Sequence, residues 1–198
     1  ATWWRQAIRV EPDPGADVVT WKTRDEVVPL YAALGGTPPW PTNPIWYQTD
    51  GGFIHSGYVQ PVEESHSDEV ITEVAAPGFW AKVCVPSVVA RPTPGSAYSS
   101  GKLYYGTVYR VIAAVSDEEG AWWYQLKEGI TYSPGPYVPS WAVRRVLPEE
   151  LAPISPDYKE KWIEINIDVQ LLTCYEGDRS VFVTRTSTGV ASTATPRG

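Results

Sequence analysis

The sequence is short of the residues that build metal and disulfide sites. Its 198 residues contain two cysteines, two histidines and no methionine. A domain held by disulfides needs more cysteine than this, and a zinc site needs three or four ligands at a spacing that the sequence does not supply. Because translation starts with methionine, we expect that Ala1 was exposed by removal of a signal peptide, by a cloning boundary or by proteolysis.

Positive charge and long apolar runs are also scarce. The chain has 16 Lys and Arg against 23 Asp and Glu, a net charge of −7 and a pI of about 4.9. Binding to phosphates depends on clustered basic residues, so the scattered Lys and Arg argue against nucleic acid and against an anionic membrane surface. No run is long enough to span a bilayer, and no signal peptide is visible. We therefore predict no nucleic-acid partner and no transmembrane segment.

Proline, glycine and the polar aromatics are abundant instead. There are 19 Pro, 16 Gly, 10 Trp and 12 Tyr but only three Phe. Proline and glycine at this density punctuate short elements, while Trp and Tyr favour strands and half-buried positions. The composition predicts an all-β protein made of short strands.

Four blocks of the sequence recur in the same order, which indicates an internal repeat. They are RVEPDPGA at 9–16 and ARPTPGSA at 90–97, DEVVPLYAA at 25–33 and GTVYRVIAA at 106–114, WYQT at 46–49 and WYQL at 123–126, and FIHSGYVQPV at 53–62 and YVPSWAVRRV at 137–146. Chance supplies one such match more readily than four in sequence. We therefore expect two similar structural units.

Each copy predicts a small β unit. The Pro-x-Pro-Gly segment forms a turn, and VVPL at 27–30 and VYRV at 108–111 alternate as half-buried strands. The WYQ segment forms another strand, and residues 63–78 form a polar linker between the copies. Several short strands in so short a unit favour a small closed barrel, because closure removes exposed edges.

This order of elements resembles the bacterial SH3-like domain, which has a Pro-rich turn, a G-x-V-x-x-V strand, W-Y-x-L and then G-Y-V. The resemblance implies two small SH3-like β-barrels in tandem, which we name module 1 (residues 1–66) and module 2 (residues 67–148). Module 1 departs from the pattern by carrying Asp25 where module 2 has Gly106, and by a Pro-rich loop at 34–45.

The third region, residues 149–198, begins with a Pro-rich connection and continues as a predicted three-stranded β-meander. WIEINI places Ile163, Ile165 and Ile167 on one face, LLTCYE returns as a second strand, and SVFVTRTSTG follows a tight turn as the third. Three strands with one apolar face need a covering layer. We therefore expect that the chain stops inside a domain.

This region resembles the opening of an L,D-transpeptidase catalytic domain. The family pattern is close to K-x-I-x-V, Q-x-L-x-x-Y-E, a Val-rich strand, S-T-G and T-P-x-G. The matching residues are Lys161, Ile163, Ile165, Gln170, Leu172, Tyr175, Glu176, Val181, Ser187, Thr188, Gly189, Thr195, Pro196 and Gly198. The implied fold is a truncated β-meander from an L,D-transpeptidase β-sandwich.

The resemblance implies peptidoglycan cross-linking by acyl transfer through a Cys nucleophile, with an adjacent His and an oxyanion hole. In the family these groups lie downstream, in a Ser-His-Gly-Cys segment that this sequence does not contain. Cys174 lies on the second meander strand, where the family carries an ordinary core residue. We therefore assign no catalytic residue, no cofactor and no metal ligand, and expect this chain alone to be inactive.

Aromatic residues at matching places in the two modules are the candidate ligand-groove residues. They are Trp46, Tyr47, Tyr58, Trp123, Tyr124, Tyr137 and Trp141. Rings that point outward could stack on sugars or hold a peptide. The alternative is that they fill the barrels and pack one module against the other.

The other reactive side chains are interpreted as structural. Cys84 and Cys174 lie in apolar, strand-like stretches and are predicted to be small buried hydrophobes, with a disulfide between them as the alternative. His55 and His66 are predicted to lie at the surface. Ser187 and Thr188 are expected to shape the bend after a strand, because the sequence offers no general base that would make either hydroxyl a nucleophile.

The sequence thus predicts a protein outside the cytoplasm, secreted or cell-wall associated. Its modules would bind peptidoglycan, through glycan or stem peptide, and position an L,D-transpeptidase domain. The alternative is a non-enzymatic wall-binding or scaffold protein. The incomplete sheet of the third region would also allow a homodimer.

Overall fold

The computed structural model describes residues 5–39, 43–127, 134–167 and 171–186. It is all-β, with several antiparallel sheets and only three short 3-10 helices among these residues. The chain divides into two compact units, Ala1–Leu147 and Pro148–Gly198. Each is described by itself. No helix in the described ranges is long and apolar enough to cross a membrane.

Module 1 contains one five-stranded sheet. Its strands are β1 (Arg5–Arg9), β2 (Val18–Thr23), β3 (Ala32–Gly35), β4 (Ile45–Thr49) and β5 (Gly52–His55), followed by a 3-10 helix at Ser56–Tyr58. The order across the sheet is β2-β1-β5-β4-β3. The predicted strand at 27–30 is wrong, because β3 begins only at Ala32. Proline at position 29 cannot donate a backbone hydrogen bond, and the described residues provide no strand partner there.

Module 2 contains a five-stranded sheet and a separate hairpin. Its strands are β6 (Phe79–Val83), β7 (Ser87–Ala90), β8 (Gly101–Tyr104), β9 (Val108–Ser116), β10 (Trp122–Lys127), β11 (Pro134–Pro139) and β12 (Val143–Arg145), with a 3-10 helix at Ser140–Ala142. The sheet order is β11-β10-β9-β6-β12, and β7 pairs with β8.

The two modules pair equivalent strands in the same register. In module 1, Tyr47 lies between Ala33 on one neighbouring strand and Ile54 on the other. In module 2, Tyr124 lies between Ala114 and Val138 in the same way. The β1–β5 contact of module 1 is reduced in module 2 to one bridge, between Arg91 on the chain following β7 and Tyr137 on β11. The internal repeat read from the sequence is therefore present in the strand pairing.

The turns also repeat. Arg9 Nη1 donates to the carbonyl oxygen of Ala16 across the first Pro-x-Pro-Gly turn, and Arg91 Nη1 donates to Ser96 across the second. Each turn is closed by a backbone bond, from Ala16 to Asp13 and from Ser96 to Thr93 at 3.1 and 3.2 Å. The guanidinium groups thus satisfy carbonyls that the tight turn leaves without a strand partner.

The closed barrels predicted from the sequence are not found. In the described residues each five-stranded sheet is open, with β2 and β3 at the edges of one and β11 and β12 at the edges of the other. The β7–β8 hairpin approaches β11 through a single bridge rather than a continuous ladder.

The hydrophobic core is concentrated in module 2. Its buried cluster contains eleven residues: Ala81, Val83, Val85, Val88, Ala90, Val111, Tyr124, Leu126, Val138, Ala142 and Val143. The buried apolar residues described in module 1 are four: Ala7, Ile8, Trp46 and Ile54. Module 1 also buries Asn43, Thr49 and His55, so its interior is smaller and more polar.

The segment predicted as a linker, residues 63–78, contains no strand. It is nevertheless packed, because Ile71 and Val74 lie against the module 2 core. The backbone N–H of Ile71 donates to the Tyr124 hydroxyl at 2.7 Å. Part of the linker therefore belongs to module 2.

The third region forms the predicted meander. Strands β13 (Lys161–Asn166), β14 (Leu171–Glu176) and β15 (Arg179–Arg185) pair in that order, after a 3-10 helix at Pro148–Leu151. The predicted turn at 168–170 and the motif residues Gln170, Ser187, Thr188, Gly189, Thr195, Pro196 and Gly198 lie outside the described residues.

One face of this meander is apolar and exposed. Ile163 on β13 is 63% exposed, and Ile165 and Phe182 are about half exposed. Ile163 lies opposite Cys174, which lies opposite Phe182, so these side chains form one row across the sheet. The row is the apolar face predicted from the alternation of WIEINI.

Candidate functional site

A groove runs along module 1 and reaches the β7–β8 hairpin of module 2, within one compact unit. Its volume is about 440 Å³, and its floor includes Ile54 of β5. One wall is residues 27–30 and the other is residues 59–62. Pro86, Ser87 and Tyr104 of module 2 also line the groove. It is a pocket of mainly apolar surface with ionisable groups at its rim.

The rim of the groove carries both signs of charge. Its charged lining residues are Lys22, Asp25, Glu26 and Glu64. Lys102 and Arg24 lie 2.8 and 3.8 Å from the Asp25 carboxylate, so three cations stand against three carboxylates at this rim.

Asp25 joins the two modules. Lys102 Nζ lies 2.8 Å from its Oδ2, and the Tyr104 hydroxyl lies 3.4 Å from the same oxygen. The hydrogen bond from Lys102 is the main reason why the pKa of Asp25 is lowered, and the same contact raises the pKa of Lys102. The charged forms of both side chains are thus favoured at neutral pH.

Asp25 also has an uncommon backbone. Its φ of 67° is in the left-handed region, and Gly106, its counterpart in module 2, has a φ of 81°. Aspartate tolerates this conformation better than most residues because its short polar side chain bonds locally. The two modules therefore make the same bend before the segments 27–30 and 108–111.

Glu26 stabilises the turn that precedes the groove wall formed by residues 27–30. Its Oε2 accepts hydrogen bonds from the Thr23 backbone N–H and hydroxyl, the latter at 2.8 Å, and Lys22 Nζ lies 3.6 Å from Oε1. The Thr23 N–H is the main cause that lowers the pKa of Glu26. This carboxylate holds the wall in place.

Three of the sequence-predicted aromatics lie in the interior. Trp46 is 2% exposed, donates from Nε1 to Thr37 O at 3.0 Å and meets His55 edge to face. Tyr124 is equally buried, and Trp123 donates from Nε1 to Asp117 Oδ2 at 2.8 Å. Their polar tips are satisfied by the protein itself, as expected of packing residues.

The others are closer to solvent. Trp141 is 47% exposed and meets His66 edge to face at 5.2 Å, and Tyr47 and Tyr137 are half-buried. The side chain of Tyr58 lies outside the described part of the structure. None of the six described candidates lines the groove. The structure does not gather them into one site.

Two surface tryptophans were missed by the repeat argument. Trp21 on β2 lies under the Arg5 guanidinium at 4.2 Å, and Trp80 on β6 lies under Arg110 at 4.4 Å. Both rings are nearly half exposed. Neither lies in one of the four repeated blocks, so a search limited to repeated positions passes over them. Each pair combines a stacking surface with a positive charge.

The prediction that His55 lies at the surface is wrong. It is 1% exposed; its Nδ1 accepts from the Gly57 N–H at 3.2 Å, and its Nε2 lies 2.9 Å from the Asn43 carbonyl oxygen. Since Nδ1 accepts, Nε2 carries the hydrogen and donates to Asn43. His55 therefore joins β5 to the loop before β4. His66 is exposed, 3.6 Å from Glu64.

Both cysteines are free thiols. Cys84 is buried, its Sγ donates to the Trp141 carbonyl at 3.8 Å, and burial raises its pKa. A protonated, buried thiol is a poor nucleophile. Cys174 is half-buried within the meander. Across the described ranges no group of three His, Cys, Asp or Glu side chains is placed to hold a metal ion. Ser187 and Thr188 lie outside those ranges.

In the third region, Lys161 and Glu176 from the family-like motif lie together. They are opposite one another on β13 and β14, with Lys161 Nζ 3.4 Å from Glu176 Oε1. Arg179 and the Ser155 hydroxyl bind the other oxygen at 2.8 and 2.7 Å. These bonds, that of Ser155 first, lower the pKa of Glu176. The motif residues thus tie the Pro-rich connection to the sheet.

Comparisons with known proteins give no family for this chain. No protein-family model matches it, and no curated protein matches it significantly.

Proposed function

We propose that this chain is the wall-binding part of a peptidoglycan L,D-transpeptidase and acts outside the cytoplasm. Its two modules, taken as SH3-like units, would hold the protein on peptidoglycan. The third region would begin the catalytic domain that forms cross-links between stem peptides. The repeated strand pairing and the Lys161–Glu176 arrangement support this assignment.

The observation that carries the binding role is a set of three exposed tryptophans, two of which lie beneath an arginine. Arg5 lies over Trp21, Arg110 lies over Trp80, and Trp141 stands beside His66. Peptidoglycan offers sugar rings for stacking and stem-peptide carboxylates for ion pairing. An overall acidic protein can bind such a polymer through these local sites, because exposed charges beyond a Debye length are screened.

Co-sedimentation with purified peptidoglycan tests the binding role. We expect the native chain to pellet with the polymer, and the triple variant Trp21→Ala, Trp80→Ala, Trp141→Ala to bind about a hundredfold more weakly, since each of the three rings contributes of order 1 kcal/mol. Leu151→Ala, which removes an exposed apolar side chain, is the control and should bind normally. Equal binding by the triple variant, once shown to be folded, would exclude these rings.

The enzymatic part of the proposal makes a separate prediction. This sequence has no Ser-His-Gly-Cys segment, and Cys84 is buried and protonated. We expect no turnover in a nitrocefin acylation assay or a transpeptidation assay. Acylation at Cys174 would contradict the assignment of both cysteines as structural.

The second candidate is a non-enzymatic scaffold. The exposed row of Ile163, Cys174 and Phe182 favours it, because such a face is suited to association with another protein or copy. Light scattering over a concentration series decides whether a homodimer forms. A dimer that Phe182→Lys disperses would support the scaffold role.

A further inference from the structure

The outer face of the module 2 sheet carries cations, although the chain as a whole is acidic. Strand β6 buries Ala81 and Val83 in the core, so alternation directs Trp80 and Lys82 to the opposite face. Trp80 is 42% exposed and Lys82 is half-buried. Side chains of the neighbouring strands that lie directly opposite these two share the outer face.

Three cations share this face. Arg110 of β9 lies opposite Trp80, and Arg144 of β12 lies opposite Lys82. Like charges at directly opposed positions destabilise a sheet, so the pairing of Lys82 with Arg144 does not by itself favour the fold. We name Trp80, Lys82, Arg110 and Arg144 the cationic strip. Its charge pattern is better explained by a ligand than by the stability of the sheet.

Arg110 is held in place by neutral groups. Its guanidinium lies 4.4 Å from the centroid of the Trp80 ring, and Nη1 donates to the Pro77 carbonyl oxygen at 3.3 Å. A guanidinium that stacks on an aromatic ring keeps N–H groups on its edge for a planar anion. Both contacts restrict the side chain before a ligand binds, which lowers the ordering cost of binding.

Lys82 is also without an acidic partner. Its Nζ lies 5.9 Å from the centroid of the Tyr105 ring, and among the described residues neither Lys82 nor Arg110 forms an ion pair. The charges of these two side chains are therefore left for an external anion. Elsewhere in the described structure, five cations lie within 3.8 Å of a carboxylate oxygen: Lys22, Arg24, Lys102, Lys161 and Arg179.

The spacing of the two cations sets the size of the ligand. Lys82 and Arg110 are diagonal neighbours on adjacent strands, a relation that separates backbone positions by about 7–8 Å. Their side chains also extend in opposite directions along β6, Arg110 towards Pro77 and Lys82 towards Tyr105. One carboxylate is too small to contact both. An extended chain with two carboxylates can reach both, because alternate side chains of such a chain are about 7 Å apart.

We propose that the cationic strip binds an extended peptide through two of its carboxylates, one at Arg110 and one at Lys82. This inference rests on the wall-binding function proposed above, and it assigns the stem peptide of peptidoglycan, rather than the glycan, to this face. The edge of the Arg110 guanidinium takes one carboxylate in a planar geometry, and the Lys82 ammonium takes the other as a point charge.

Co-sedimentation with chemically modified peptidoglycan tests the inference. The polymer is freed of phosphate-containing polymers, and half of it is amidated with a carbodiimide and ammonium, which neutralises the carboxylates and leaves the glycan unchanged. We expect the native chain to bind the amidated polymer about tenfold more weakly than the untreated polymer, because two exposed ion pairs are lost. Raising the salt concentration should weaken binding to the untreated polymer more than binding to the amidated one.

Two double variants form a matched pair. Lys82→Gln with Arg110→Gln removes two charges from the strip and should bind the untreated polymer about tenfold more weakly, at the level of the amidated polymer. Lys159→Gln with Arg24→Gln removes the same two kinds of charge at exposed positions elsewhere and should bind normally. Arg110→Lys keeps the charge but loses the planar guanidinium, so it should give intermediate binding. Circular dichroism establishes that each variant is folded.

The outcomes separate this inference from the wall-binding proposal. Equal binding of the native chain to both polymers would overturn the inference and leave binding through the tryptophans intact. Normal binding by the folded variant Lys82→Gln, Arg110→Gln would do the same. Binding only to peptidoglycan that retains its phosphate-containing polymers would make phosphate the ligand and also overturn it. A native chain that sediments with no preparation would contradict the wall-binding proposal and this inference together.

Discussion

Modules 1 and 2 share a pattern of strand pairing but differ in how they fill it. The pairs Tyr47–Ile54 and Tyr124–Val138 stand in the same register. Yet the buried apolar cluster of module 2 has eleven members, and module 1 buries four apolar residues among those described. Pairing depends on the backbone and on alternation, while stability depends on the side chains that the pattern encloses. Two sheets with the same strand register can therefore bury very different numbers of apolar side chains.

The extra core of module 2 comes from segments outside the repeat. Strand β6 contributes Ala81 and Val83, and the linker contributes Ile71 and Val74. Module 1 buries polar side chains at positions where module 2 has apolar ones. The buried residue opposite Trp46 is His55, whereas the residue opposite the equivalent Trp123 is Pro139. We infer that module 2 is the more stable of the two.

The largest effect is expected from truncating the module 2 core. Leu126 is 1% exposed, and Leu126→Ala should lower the free energy of unfolding by about 2–5 kcal/mol, through lost transfer energy and the cavity left behind. Thr49 stands at the matching place in module 1, and Thr49→Ala should cost less. Urea titration with hydrogen exchange in each module measures both. Equal losses would contradict the difference in core quality.

The next effect concerns the bond between linker and core. Tyr124→Phe removes the hydroxyl that accepts from the Ile71 N–H at 2.7 Å, leaving a part-buried donor without that partner. The expected cost is about 1–3 kcal/mol. Tyr47→Phe, at the equivalent but only half-buried position, is the control and should change stability little. Faster exchange at the Ile71 amide in Tyr124→Phe alone would confirm the assignment, and no change there would refute it.

Local patterns predicted much of the fold. Alternation located β4, β10 and all three meander strands, and Pro-Gly spacing located the repeated turns, because these signals act over a few residues. The strand expected at 27–30 did not form, and barrel closure was not found. Both depend on whether a distant segment supplies a partner. The local alternation of apolar and polar residues does not specify which distant segment will pair with a strand.

The candidate site was less predictable for the same reason. The groove is lined by Val27, Leu30 and Val59. The sequence presents Val27 and Leu30 as ordinary strand positions, and whether they line a groove depends on whether another segment pairs with them, not on their own chemistry. Three of the six described aromatics that the sequence singled out, among them Trp46 and Tyr124, are internal, because Trp and Tyr bury well when their polar tips find partners.

A smaller effect, of opposite sign, is expected at Thr49. Its hydroxyl oxygen is buried and, among the described residues, finds no hydrogen-bond partner. Thr49→Val keeps the shape and removes the unsatisfied group, so it should raise the free energy of unfolding of module 1 by about 1 kcal/mol. Thr20→Val, an exposed threonine on β2, is the control and should have little effect. A loss of stability in Thr49→Val would indicate an ordered water bound to this hydroxyl.

The smallest effect concerns the Asp25–Lys102 pair that links the modules. Its contribution is about 0.5 kcal/mol, because both side chains are partly exposed. The folded-state pKa of Asp25 is lowered, so its stabilisation is fully present above the unfolded pKa of about 4 and disappears as the pH falls through the lower folded value. Asp25→Asn should therefore be less stable than the native chain at pH 7 and equal to it near pH 2, with a difference that shrinks in high salt.

Thermal melts at both pH values measure this, and Glu63→Gln provides a charge-matched control elsewhere in module 1. A difference between the native chain and Asp25→Asn that persists at pH 2 would point to the left-handed backbone at this position, and not the ion pair, as its source.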